Sequence, residues 1–207
     1  MRLYLVRHGR TAGNLEKRYV GRTDEPLLDS ERLRLCEVRE RLAGTASTAG
    51  AALSVRRVIA SPMRRCLETA ACLWPDAETV VSEGLREMDF GAYEYANYEE
   101  LRDKAGYQHF LDTMGESGFP GGESRAAFAG RVCRAFAAAV RSLDEEAALA
   151  VHGGTIMAIM AVLYEPKRDY YDWMAQNGGG YAVDLAFRGS GDDAVPVLTH
   201  AEELALL

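Results

Sequence analysis

Short apolar runs alternate with longer stretches of helical periodicity along this chain. Leu3-Tyr4-Leu5-Val6 is apolar throughout and stops at Arg7-His8-Gly9, the pattern of a buried strand with polar residues at its carboxyl end. Residues 29–43 carry Leu35, Val38 and Leu42 at helical spacing. Val58-Ile59-Ala60 is a second strand candidate. The Ser61-Pro62 that follows predicts a helix start, with Ser61 at the N-cap and Pro62 at the first helical position. That helix runs to about Leu73 and turns Met63, Leu67, Ala70 and Trp74 to the core. Thr79-Val80-Val81 is a third strand candidate. A helix from Glu123 places Phe128, Val132, Phe136, Val140 and Leu143 along one face. Residues 147–151 form the next strand, ending at His152-Gly153-Gly154, and a helix follows to about Leu163. Residues 181–187 and 195–199 are the last strand candidates, whereas residues 88–122 are rich in Tyr, Glu, Asp and Gly with weak periodicity. This alternation predicts one α/β domain over residues 1–207. Its form is a three-layer α/β/α sandwich with a largely parallel central sheet, and a small helical cap inserted at about 88–122.

Composition narrows the partners. The chain has 207 residues, 48% apolar and 27% charged, an ordinary globular balance. A net charge of -7 argues against nucleic-acid binding, and no apolar run approaches the ~20 residues of a membrane span. Cys36, Cys66, Cys72 and Cys133 show no C-x-x-C spacing, and the apolar N-terminal run is too short for a signal peptide; a cytoplasmic protein with reduced thiols is expected. The charge is uneven. Residues 1–65 hold 14 of the 24 basic residues but only 7 of the 31 acidic ones. A basic front on an acidic body suits a site for a small anion, although a solvated arginine-rich helix has the same composition.

His8 and His152 each follow an apolar strand and precede glycine, at the strand ends where open α/β sheets bind ligands. Gly153-Gly154 also opens a helix, whose N-terminus attracts anions. Arg7 adjoins His8, and Arg64 lies in the first turn of the helix after Ser61-Pro62, off its apolar face. Guanidinium forks match phosphate oxygens, while a surface ion pair with Glu68 at i+4 is the plain alternative for Arg64.

Six ordered blocks resemble the histidine phosphatase (phosphoglycerate-mutase-like) superfamily. They are Arg7-His8-Gly9-Arg10-Thr11-Ala12-Gly13-Asn14, the stretch from Tyr19 to Leu27, Ser61-Pro62-Met63-Arg64-Arg65-Cys66-Leu67-Glu68-Thr69-Ala70, Leu85-Arg86-Glu87-Met88-Asp89-Phe90-Gly91, Pro120-Gly121-Gly122-Glu123-Ser124 with Phe128 and Arg131, and Val151-His152-Gly153-Gly154-Thr155. The resemblance implies two-step phosphoryl transfer through a phosphohistidine on His8. Arg7, Arg64 and His152 would surround the phosphoryl oxygens, and Glu87 would be the general acid and base, with Asp89 the rival carboxyl. Asn14, Thr23 and Gly154 are candidate phosphate or substrate contacts. Ser124 reads as a helix start, and His109 and His200 as surface residues.

Position 10 is arginine where the family usually has an acidic residue, so Arg10 is expected to favour a substrate with a second anionic group. The Asp29-Ser30-Glu31-Arg32 stretch lacks the family's usual glycine. The cap aromatics Tyr93, Tyr95, Tyr98, Tyr107 and Phe110 either pack the cap or stack on substrate. The pattern is closest to the α-ribazole-phosphatase-like branch, which implies hydrolysis of a small phosphorylated metabolite. Phosphoglycerate mutase and a non-catalytic phospho-ligand module are the alternatives. No cofactor is implied, and no H-E-x-x-H or similar cluster suggests a metal. Phosphatase activity is therefore expected to persist in excess chelator; loss that Mg²⁺ or Zn²⁺ reverses would refute a metal-free site.

Overall fold

The computed structural model describes residues 1–113, 115–191 and 194–206. Six strands form one sheet in the order β3-β2-β4-β1-β5-β6: β1 (Arg2–Arg7), β2 (Arg57–Ala60), β3 (Glu78–Val81), β4 (Ala147–Val151), β5 (Gly179–Arg188) and β6 (Val195–Ala205). The β3-β2-β4-β1 pairs are parallel, and β5 and β6 add antiparallel strands beside β1. The helices are α1 (Ala12–Leu15), α2 (Asp29–Leu42), α3 (Thr48–Ala52), α4 (Arg64–Leu73), α5 (Tyr98–Leu101), α6 (Ala105–Asp112), α7 (Arg125–Val140) and α8 (Gly153–Leu163).

Side chains alternate across each strand, so the sheet builds two cores. Leu3, Leu5, Leu149 and Val151 pack on one side with Phe128, Val132 and Phe136 of α7 and Ile156 and Ile159 of α8. Tyr4, Val6, Ala148 and Ala150 pack on the other with Leu35 and Val38 of α2 and Ala70 and Leu73 of α4. The result is three layers, with β1 and β4 buried on both faces. This explains why both strands read as unbroken apolar runs rather than alternating ones. Each fully buried Phe, Leu or Ile contributes roughly 1.5–3 kcal/mol over leaving it exposed. β3 lies at the sheet edge with all four residues exposed. Gly180 of β5 is needed for close approach to β1, because a Cβ there would lie 1.7 Å from the Leu5 carbonyl oxygen.

Three expectations change. The helix after Ser61-Pro62 begins two residues late: Met63 is its N-cap and Arg64 its first residue. The Ser61 hydroxyl accepts weakly from Met63 N at 3.4 Å and is engaged by His152, so it does not cap the helix. α7 ends at Val140, short of Leu143. Strands β5 and β6 extend beyond 181–187 and 195–199 because they pair with each other along most of their length. The segment after β3 carries single turns of 3₁₀ helix and then α5 and α6, the short helices expected of a cap. Within it Tyr93 and Tyr107 are buried and pack edge to face, Tyr95 and Tyr98 are exposed, and Phe110 packs tilted against Phe119 with centroids 4.2 Å apart. Trp173 is core, whereas Tyr171 and Met174 are exposed.

Candidate active site

The register of the parallel strands assembles the site. Arg7 pairs with Val151 across β1 and β4, and His8 N donates to the Val151 carbonyl at 2.9 Å. Ser61 N donates to the Ala150 carbonyl at 3.0 Å. The residues leaving β1, β2 and β4 are therefore side by side at the carboxyl end of the sheet. There the His8 and His152 rings meet edge to face, with centroids 5.2 Å apart. His8 is 4% exposed and His152 is fully buried.

The hydrogen bonds fix both tautomers. His8 Nδ1 lies 2.7 Å from the Gly9 carbonyl oxygen, which only accepts, so Nδ1 carries the proton and Nε2 the lone pair. Arg65 Nε donates to His152 Nδ1 at 3.3 Å, so that nitrogen is unprotonated, and His152 Nε2–H donates to Ser61 Oγ at 2.7 Å. Burial lowers the pKa of both rings well below the ordinary imidazole value, and the Arg65 and Arg7 charges push in the same direction. The same site therefore holds two neutral imidazoles beside two guanidiniums. Arg7 donates from Nη1 to the Ala175 carbonyl at 2.8 Å, while its buried Nε has no partner among the described residues. An anion is the natural acceptor for such a donor.

Glu87 stands next to this cluster. Its carboxylate accepts from Gly154 N at 3.0 Å, at the start of α8, and from Met88 N at 2.9 Å. Burial raises its pKa, and this outweighs the two N–H groups and the Arg65 and Arg7 charges, which lower it. Gly154 is glycine for space: a Cβ there would sit 2.2 Å from Glu87 Oε1. Asp89 points elsewhere, accepting from Gly91 N and facing Arg22 at 3.6 Å. The loop bearing Glu87 is clamped by Arg131, which donates to the carbonyls of Gly84, Arg86 and Glu87 and pairs with Glu123.

Arg64 is a correction. Its side chain is 55% exposed and its Nε pairs with Glu68 Oε1 at 2.6 Å, outside the cluster. Arg65, fully buried, enters instead. It donates to the carbonyls of Val20, Gly21 and Thr23 as well as to His152. The delayed start of α4 sets this phase, turning position 64 to solvent and position 65 under the sheet edge. Arg10 also departs from its expected role: its guanidinium is held by the buried Glu31, with Nε–Oε2 at 2.9 Å, so its charge is already balanced. The Thr23 hydroxyl is occupied too, donating to Glu94 at 2.7 Å, and the residue contributes its carbonyl to Arg65. Asn14 forms a capping box with Thr11, and its Oδ1 accepts from Asn177 Nδ2 at 3.1 Å. Ser124 caps α7, and His109 and His200 are exposed.

Sequence reasoning assigned no part in the site to Arg65, Ser61 or Asn177. Asn177 Nδ2 and Gly178 N both donate to the His8 carbonyl, fixing the backbone of that residue from the turn before β5. The Asn-Gly-Gly-Gly run marks a turn, but nothing in it indicates the long-range partner. Among the described residues no cluster of three or more His, Cys, Asp or Glu could hold a metal. No helix among them is long and apolar enough to cross a membrane.

Residues 3–190 match the family described as the histidine phosphatase superfamily, branch 1. This chain belongs to that superfamily. Among curated relatives, the "Probable phosphoglycerate mutase GpmB" of Enterobacter sp. (strain 638) is 30% identical over 165 residues, covering 77% of this chain and 73% of that one. A Salmonella choleraesuis protein of the same name is covered over 62% of its length. Among solved structures, TTHB049 from Thermus thermophilus is 28% identical over 99% of both chains, with a TM-score of 0.68. A "putative alpha-ribazole-5'-P phosphatase" from Escherichia coli shares the fold at 23% identity and a TM-score of 0.78, over 96% of this chain and 94% of that one.

Two outcomes follow for this histidine phosphatase. Arg64→Ala should change kcat/KM by less than about 3-fold, as for an exposed ion pair, whereas Arg65→Ala should lower it by about 10²-fold or more. Steady-state kinetics on both variants, with thermal melts as folding controls, would refute this assignment if the order were reversed. The second outcome concerns stability. The unfolded chain protonates His8 and His152 near pH 6.5 and the folded chain does so only lower, so stability falls as pH drops through about 6.5. Glu87, with its raised pKa, acts in the opposite sense above its ordinary carboxylate range. The histidine contribution is therefore read as a difference. Denaturant unfolding of His8→Asn/His152→Asn between pH 6.5 and about 5 should show a flatter slope than wild type; an unchanged slope would contradict neutral buried imidazoles.

Proposed function

We propose that the chain is a metal-independent phosphomonoester hydrolase working through a phosphohistidine on His8. The observation that carries this reading is the pairing, at the carboxyl end of the sheet, of a buried imidazole bearing its lone pair on Nε2 with the half-buried Glu87 carboxyl, whose pKa desolvation raises. His8 Nε2 attacks phosphorus, the P–N bond forms and the P–O bond to the alcohol breaks. Glu87 gives its proton to the departing oxygen. Arg7 and Arg65 hold the equatorial oxygens, where charge spreads in the transition state, with the N-terminus of α8 and His152 beside them. A bound dianion offsets the guanidinium charges and so eases any proton sharing with His152. In the second step Glu87, now ionised, takes a proton from water; the water oxygen bonds to phosphorus, the P–N bond breaks, and phosphate leaves.

Substrate remains a small phosphorylated metabolite, with α-ribazole 5'-phosphate a member of the class worth assay. A second reading, phosphoglycerate mutase, is favoured by the 30%-identical relative, a probable phosphoglycerate mutase. Mutase chemistry returns the phosphoryl group to an acceptor hydroxyl rather than to water. Wild type should release phosphate from a chromogenic aryl phosphate and from alkyl phosphates, with no net transfer between positions of phosphoglycerate.

Rapid quench should trap an acid-labile, base-stable phosphoenzyme in wild type and none in His8→Ala, whose turnover should fall by about 10³-fold or more. Glu87→Gln should lose ~10²–10⁴-fold on alkyl phosphates and less on aryl phosphates, whose leaving groups need less help. Retained turnover in His8→Ala would overturn the reading.

A further inference from the structure

A cavity of about 300 Å³ is bordered by Glu87 and Gly154, and its described lining includes neither His8 nor His152. Its walls come from both parts of the chain. The cap and its neighbouring loop supply Tyr19, Phe90, Phe110 and Phe119, and the body supplies Met157 of α8 and Tyr170. The cap rings are held against one another: Phe90 lies 4.9 Å from Phe119, and Tyr19 lies 5.1 Å from Phe90. The wall is therefore a preformed aromatic surface. Among the described lining residues only Glu87 and Arg125 are charged. Arg125 is ion-paired to Glu116 at 2.5 Å and lies over the Tyr170 ring.

Position decides what this cavity receives. With phosphorus held at His8, the bridging oxygen must reach Glu87 to be protonated, so whatever is attached to that oxygen continues past Glu87 into the cavity. We propose that this cavity is the leaving-group subsite, and that it selects phosphomonoesters whose alcohol is an uncharged, ring-bearing apolar group. This rests on the phosphatase reading above and names its substrate class. A carboxylate or second phosphate on the alcohol would meet aromatic faces and the Glu87 carboxyl, with the Arg125 charge already matched by Glu116. Arg10, the residue expected to favour a second anion, is held by Glu31, which also faces Arg34, and it does not line this cavity.

The test compares esters of similar leaving-group basicity, so that only the fit of the alcohol differs. Burying one ring should raise kcat/KM for 2-phenylethyl phosphate over ethyl phosphate by at least about 10-fold. Glycerol phosphate and phosphoglycerate should not exceed ethyl phosphate. Phe110→Ala and Met157→Gln, on opposite walls and outside the reacting groups, should each cut that preference several-fold while leaving the ethyl phosphate rate unchanged. Equal rates for the two alkyl esters, or preference for the charged ones, would overturn the subsite.

Binding separates this from failure of the phosphatase reading. Calorimetry with 2-phenylethylphosphonate and ethylphosphonate needs no turnover. Tighter binding of the ring-bearing phosphonate, lost in the two variants, supports the subsite even if no ester is hydrolysed; equal binding overturns it even if both esters are.

Discussion

The buried guanidinium of Arg65 is the interaction on which the site depends. One planar fork ties three backbone carbonyls of the 20–23 loop to the His152 ring, joining segments more than forty residues apart. A cation in the interior is tolerable because acceptors of fixed geometry surround it, and removing it would strand those carbonyls. The arrangement has two chemical effects. It fixes the His152 tautomer by donating to Nδ1, and with Arg7 it adds positive potential that keeps both imidazoles unprotonated.

Burial and that potential together set the division of labour. A neutral imidazole is a nucleophile and a protonated carboxyl is an acid, and each needs an environment that moves its pKa away from the other's ordinary order. Burial does most of the work for His8 and Glu87 alike, since it disfavours the charged form of each. The guanidinium charges act oppositely on the two groups: they reinforce the shift of the histidines and weaken that of Glu87. The carboxyl retains its raised pKa because it is half-buried against α8, partly withdrawn from water. Arg131 and Glu123 hold the cap loop, and Gly154 leaves room for the carboxyl.

The layered fold and most strand positions were legible from apolar runs and helical stripes, because burial on two faces writes itself directly into β1 and β4. The edge strand β3 and the antiparallel extension of β5 and β6 depend on neighbours, which periodicity does not encode. In the site, His8, His152, Arg7 and Glu87 were found where strand ends and motif blocks put them. Arg64 lies in the first turn off the apolar face, which is the local signal for an anion ligand, whereas the fully buried Arg65 contradicts the expectation that charge faces solvent. Asn177 and the carbonyl partners of Arg65 are long-range contacts with no local signal. Arg10 was misjudged because its counter-charge, Glu31, is buried in α2, where a sequence reading expects an exposed first-turn acid.

The most direct measurement is nitrogen NMR of the two imidazoles through a pH titration of the ligand-free protein. The account predicts that both rings stay neutral well below pH 6.5, with the proton of His8 on Nδ1 and that of His152 on Nε2. A ring that titrates at or above pH 6.5, or a proton on His8 Nε2, would contradict it.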